Sequence, residues 1–204
     1  ESFQGTDDTR IVAGFTNSQI SLFDSSFNRI WNRGGIFHGV RKLQSTDLRG
    51  DGLQIILAAD HYGGVHCISH EGELLGRVYS ELGDVDFAVG DIDGDGRLEI
   101  INGSGTGTTI AADDNLNTLW QFQTHGYNAR RVICLDLDGD GKSEVLVASD
   151  TGYIYALDGL GRVIWQTEVG SPALAMITLT TGFGESTIAV GTSSGETAVL
   201  DVKG

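Results

Sequence analysis

Cysteine, proline and basic residues are all scarce in this chain, and each shortage removes a class of protein. Only Cys67 and Cys134 are present, in segments that do not look adjacent, so no disulfide framework is expected. At 204 residues none is needed to hold a core. Thirteen Lys and Arg stand against 28 Asp and Glu, a formal charge of -15 that repels phosphate backbones and argues against nucleic acid as a partner. No apolar run approaches the ~18 residues of a membrane span, so no membrane insertion is expected in this segment. Neither an initiator Met nor a signal h-region opens the chain at Glu1, which reads as a mature protein or an excerpt. No stretch shows sustained helical periodicity. With one proline, Pro172, and 30 glycines, turns are made with Gly, Asn and Asp, a habit of β-rich proteins with many short connections.

What is present is a repeat. DLDGDGKSEVLVAS, beginning at Asp136, has a twin in DIDGDGRLEIINGS, beginning at Asp91, 45 residues earlier. A weaker sibling, DLRGDGLQIILAAD, begins at Asp47, another 44 residues before that. The three tryptophans, Trp31, Trp120 and Trp165, fall at one repeat position, which Gly76 occupies in the remaining register. Four short apolar or alternating segments per unit predict four β-strands, A to D, with the acidic loop joining A to B. In the unit of Asp136 these are ARRVICL, EVLVAS, YIYAL and VIWQTE. The fold class expected is all-β, a β-propeller of four-stranded antiparallel blades on a repeat of about 45 residues. The units run over about 1–38 (partial), 39–83, 84–127, 128–171 and 172–204 (partial). The incomplete first and last units predict an excerpt of a longer propeller, or a five-bladed ring with two short blades.

DIDGDGRLEI and DLDGDGKSEV resemble the FG-GAP or VCBS type repeats of integrin-α-like propellers, and YALDGLGRVIW is similar to the blade motif of quinoprotein-type propellers. The resemblance implies calcium in the acidic loops, a protein or glycan ligand on the opposite face, and an extracellular or periplasmic setting. It implies no catalysis, because one blade motif is a packing pattern and not a cofactor site. The function expected is a calcium-binding scaffold for protein interaction or adhesion, not an enzyme. The alternatives are a carbohydrate-binding, lectin-like propeller and the propeller part of a larger polysaccharide-acting or quinoprotein enzyme.

The loop chemistry agrees with an ion. Calcium takes six to eight hard oxygens, and carboxylates at alternate positions of a glycine-rich loop turn to one side. One site would use Asp91, Asp93, Asp95, the Arg97 carbonyl and Glu99; the other Asp136, Asp138, Asp140, the Lys142 carbonyl and Glu144. An EF-hand is rejected, since its twelfth place needs Glu and these loops have Asn102 and Val147 there. The loop of Asp47 is expected to stay empty: Arg49 replaces a ligand, Ile55 or Ile56 stands at the closing acid, and the arginine would sit between Asp47 and Asp51. HYGGVHCISH, His61–His70, has a zinc-like composition, but its register with other units reads as strand filling. For the partner face, the D–A turns combine aromatics with arginine, and the residues expected there are Phe37, His38, Arg41, Tyr127 and Arg130, with Tyr62 from a B–C turn.

Overall fold

The computed structural model describes residues 9–36, 38–81, 83, 86–124, 128–180 and 186–201. Among them are eighteen β-strands and no helix, paired as five antiparallel meanders. Blade 1 holds β1 (Ile11–Gly14), β2 (Gln19–Phe23) and β3 (Arg29–Gly34). Blade 2 holds β4 (Lys42–Thr46), β5 (Ile55–Ala59), β6 (Gly64–Ser69) and β7 (Leu74–Tyr79). Blade 3 holds β8 (Asp86–Gly90), β9 (Glu99–Gly103), β10 (Thr108–Ala112) and β11 (Thr118–Gln123). Blade 4 holds β12 (Ala129–Leu135), β13 (Glu144–Ser149), β14 (Tyr153–Leu157) and β15 (Val163–Glu168). Blade 5 holds β16 (Ala173–Thr180), β17 (Ser186–Thr192) and β18 (Thr197–Asp201). The strands of blade 4 coincide with the four segments picked out by the repeat.

Period-two alternation explains the packing. In β5, Ile56 and Ala58 join Ile20 and Leu22 of blade 1, while Ile55, Leu57 and Ala59 join Phe87 and Ile100 of blade 3. Strand β13 splits in the same way, Val145 and Val147 toward blade 3 and Leu146 and Ala148 toward blade 5. A middle strand therefore reads as a continuous apolar run because both of its faces meet a neighbouring blade. The D strands β3, β11 and β15 are mostly exposed and share one burial pattern. On the inner strands, Lys42 Nζ lies 2.6 Å from Asp86, whose second oxygen accepts the Val132 N–H at 3.0 Å, so one carboxylate ties β4, β8 and β12 together.

Trp31 and Trp120 are inter-blade struts. A bulge between strands C and D recurs in blades 1 to 4 and sets the side-chain phase of the D strand. The Trp31 indole N–H donates to the His70 carbonyl at 2.9 Å and its ring lies against Gly72 in the C–D turn of the next blade. Trp120 repeats this with the Gly159 carbonyl at 3.0 Å and Gly161. Both glycines sit at positive φ, +88 and +75, and a Cβ on either would come within 3 Å of the indole, so the strut requires glycine twice over.

Candidate metal loops and partner face

The A–B loops of blades 3 and 4 are built alike. Glycines at positive φ, Gly94 and Gly96 in one loop and Gly139 and Gly141 in the other, let the backbone curl around the first aspartate. Asp91 accepts the N–H groups of Gly94 at 2.6 Å and Gly96 at 2.9 Å; Asp136 accepts those of Gly139 at 2.7 Å and Gly141 at 3.0 Å. The closing glutamate starts strand B and reaches back, Glu99 to the Ile92 N–H at 2.9 Å and Glu144 to the Leu137 N–H at 2.7 Å. Ligand oxygens of Asp91, Asp93 and Glu99 thereby lie within 4.8 Å of one another, as do those of Asp136, Asp138 and Glu144.

These are costly arrangements without a cation. Glu99 is 3% exposed, and burial together with the charges of Asp93, Asp91 and Asp95 pushes its pKa up to about 7, against the pull of the Ile92 N–H. Glu144 is raised for the same reasons, burial first and then Asp138, Asp140 and Asp136. Each oxygen that accepts an N–H keeps a further lone pair, so the donor set suits a hard divalent ion that takes oxygen ligands.

Other loop residues lie differently. Asp95 and Asp140 stand outside the close triads. Asp95 accepts the Arg97 N–H at 2.8 Å and pairs with its guanidinium at 3.3 Å, and Asp140 accepts the Lys142 N–H at 2.8 Å. The Lys142 stem packs against Gly94 of the adjacent loop, and the Ser143 N–H donates to the Asp91 carbonyl at 2.7 Å, so the two loops are bound to each other.

The loop of Asp47 keeps the turn and loses the ligands. Asp47 accepts N–H groups from Asp51 at 3.2 Å and Gly52 at 2.8 Å. Ile55, opposite Thr46, occupies the strand position held by Glu99 opposite Gly90, which settles the register in favour of Ile55 over Ile56. The expected placing of Arg49 between Asp47 and Asp51 is corrected: its guanidinium reaches the next blade and pairs with Asp114 at 3.4 Å, beside Arg97 at 3.2 Å. A nearly buried carboxylate one blade away attracts it more strongly than two solvated ones in its own loop. Asp114 was not foreseen, because only the tertiary structure lays that C–D turn over the neighbouring A–B loop.

On the opposite face, the structure brings His38 and Tyr62 together, ring centroids 4.6 Å apart and edge to face, with His61 6.0 Å from Tyr62. Arg41 is exposed. Arg130 lies on β12 and not in the D–A turn, and its Nε pairs with Asp150 in the B–C turn of the same blade. Phe37 and Tyr127 lie outside the described residues. The zinc-like composition of His61–His70 does not converge: His66 is buried against Asp60 at 2.8 Å, His70 lies near Glu71, and burial pushes the Cys67 thiol up to about 12.

Blades of three and four antiparallel strands, packed through cores shared between consecutive sheets, define a β-propeller. Residues 99–204, more than half of the chain, match the family of the lambda-carrageenase β-propeller domain, and the chain belongs to that family. No curated protein matches the sequence. Among solved structures, the chain is similar to BBS1N, crystallised in complex with ARL6DN and soaked with lead, at 14% identity and a TM-score of 0.75, covering 98% of this chain and 59% of that one. Sqt1 of Saccharomyces cerevisiae gives 13% identity and a TM-score of 0.78 over 98% of this chain and 57% of that one. BamB of Moraxella catarrhalis gives 13% and 0.68 over 94% and 54%. The chain thus spans somewhat more than half the length of these structures, and the likeness is one of fold.

Proposed function

We propose that this propeller is a calcium-stabilised interaction scaffold, holding one ion in the loop of Asp91 and one in the loop of Asp136 and offering the face of the D–A and B–C turns to a partner. The observation that carries the reading is the repetition of one carboxylate triad, Asp91, Asp93 and Glu99 in one blade and Asp136, Asp138 and Glu144 in the next. The order of acids and glycines resembles that of FG-GAP and VCBS type loops. A buried glutamate in each triad is driven toward its neutral form first by burial and then by the like charges around it, and a divalent cation relieves that repulsion. Extracellular calcium modules work with dissociation constants of about 10⁻⁴ to 10⁻³ M, which accords with an extracellular or periplasmic setting. Isothermal titration with calcium tests the reading: two ions per chain are expected, and no response, or equal service by magnesium at equal concentration, overturns it.

A second reading is favoured by the family match: the propeller is the binding part of a larger polysaccharide-acting enzyme. Here the chain contributes no catalytic residue and holds substrate or a neighbouring domain. Incubating the purified chain with lambda-carrageenan and measuring reducing ends separates a binding part from a catalytic one; new reducing ends would place the chemistry in these blades.

A further inference from the structure

The repeat supplies its own internal comparison for the seams between blades, and one seam departs from it. Between blades 1 and 2 and between blades 3 and 4, an indole from strand D lies against the glycine of the next C–D turn, with its N–H on a turn carbonyl at 2.9 and 3.0 Å. Between blades 2 and 3 the strand position is Gly76 and carries no ring. Leu116 comes across to cover Gly76 itself, and a cavity of about 110 Å³ remains beside it.

The cavity is apolar within and polar at one side. Leu48, Ile55 and Cys67, all buried, line it and belong to the core that blades 2 and 3 share, Cys67 pairing with Gly76 across β6 and β7. Exposed Leu75 and Arg49 stand at its open edge. Asp114 borders it from the C–D turn of blade 3, and its carboxylate, 8% exposed, is fully engaged by Arg49 at 3.4 Å, Arg97 at 3.2 Å and Asn115 Nδ2 at 3.2 Å. Its carbonyl is not. Arg49 Nη2 donates to it from 3.5 Å, the outer limit of a hydrogen bond, whereas the equivalent carbonyls of His70 and Gly159 receive a close indole N–H. A carbonyl has two lone pairs, so a nearer donor can be accepted as well. Walls that face a void lose dispersion contacts, and an enclosed apolar cavity of about 150 Å³ takes a benzene-sized ring. This one is smaller but open on one side, so a ring need not be wholly enclosed.

We infer that the seam between blades 2 and 3 binds a small planar aromatic molecule of the indole type, its ring against Leu48, Ile55 and Leu116 and its N–H on the Asp114 carbonyl. The template is internal to the chain, since two other seams hold a ring of this kind by one N–H to the equivalent carbonyl and one contact with the turn. The Arg49 guanidinium at the edge adds a cation for the face of the ring. This goes beyond the scaffold reading. The site adjoins the loop of Asp47, which holds neither carboxylate triad, so it needs no calcium.

Equilibrium dialysis of the chain against indole tests the site, with benzofuran as the isostere that lacks the N–H, in the presence of a chelator so that the outcome is independent of calcium. Saturable binding of one indole per chain is expected, with benzofuran held about threefold to tenfold more weakly for want of the hydrogen bond. Cys67→Leu, which fills the cavity, should weaken indole binding about tenfold or more, and Leu116→Ala, which widens it, should strengthen binding about threefold or more. The melting temperature of each variant is measured on the same samples, and if Cys67→Leu does not fold, Leu116→Ala decides. Absence of saturable binding overturns the inference, and so does binding that neither variant changes, because the indole then sits elsewhere. Equal binding of benzofuran overturns the contact with the Asp114 carbonyl.

Discussion

Leu116 fills the space that Gly76 leaves: a Cβ on Gly76 would lie 2.5 Å from Leu116 Cδ1. At the other described inter-blade contacts of this type the large residue is the tryptophan on strand D and the small one is the glycine in the turn, as with Trp31 and Gly72 or Trp120 and Gly161. Between blades 2 and 3 the sizes are exchanged. The indole's hydrogen bond is replaced as well, since Arg49 Nη2 points at the Asp114 carbonyl at 3.5 Å, the turn position of His70 and Gly159. The arginine that stands where the other two loops carry their second aspartate is thus the strut that stands in for a missing tryptophan.

From this exchange, Gly76→Trp alone should destabilise the chain by about 1–3 kcal/mol through overpacking. Leu116→Gly alone should cost a similar amount, about 1–3 kcal/mol, by opening a cavity. The double variant should recover much of the loss, with a favourable coupling of about 1–3 kcal/mol in a double-mutant cycle from urea denaturation. Additive losses would mean that the two positions do not share one space.

On the proposed reading calcium should raise the melting temperature, because an ion held by the folded loops is not held by the unfolded chain; each site would contribute roughly 2.7 kcal/mol at a hundred times its dissociation constant. Asp93→Ala and Asp138→Ala should each reduce the stoichiometry from two to one, and Asp51→Ala should leave it at two. Chelation should reverse the stabilisation in a thermal melt.

Glu99→Gln separates repulsion from ligation. Without divalent ions the variant should melt higher than the parent at pH 8, where the native Glu99 is charged against three aspartates. With saturating calcium the order should invert, since the amide gives one neutral oxygen in place of a carboxylate. A metal-free variant less stable than the parent would show that the triad carries no such strain.

Restoring the lost ligands of the Asp47 loop tests the register. Arg49→Asp alone should leave calcium at two ions, because Ile55 still fills the closing position. The pair Arg49→Asp and Ile55→Glu should bind a third ion by titration, while lowering metal-free stability by burying an acid and removing the Asp114 strut.

Acid should unfold the chain partly through Asp60. Burial alone would raise its pKa, but hydrogen bonds from His66, Gly64 and Tyr62 outweigh it and hold the carboxyl below the ordinary 3.8. A depressed carboxyl contributes stability that is present above its unfolded value and lost as pH falls from there through the folded one. Asp60→Asn should therefore weaken the fold by about 1–3 kcal/mol at neutral pH and flatten the stability profile below pH 4, measured by circular dichroism.

The strands were legible because a middle strand covered on both faces must be apolar throughout, as EVLVAS and YIYAL are, and the more exposed ARRVICL and VIWQTE flank them with turn residues between. The acid loops were legible because alternate carboxylates and glycines are a local device whose geometry lies within ten residues. The sequence by itself therefore determined the blade, its period and which loops carry a full set of acids. Whatever depends on one blade meeting the next was decided only by the tertiary structure: Arg49 crossing to Asp114, Leu116 entering the space of Gly76, and His38 meeting Tyr62. The reason is distance along the chain, since each of these pairs joins residues from separate turns or strands, and a repeat fixes what a unit contains without fixing which side chains of two units share one space.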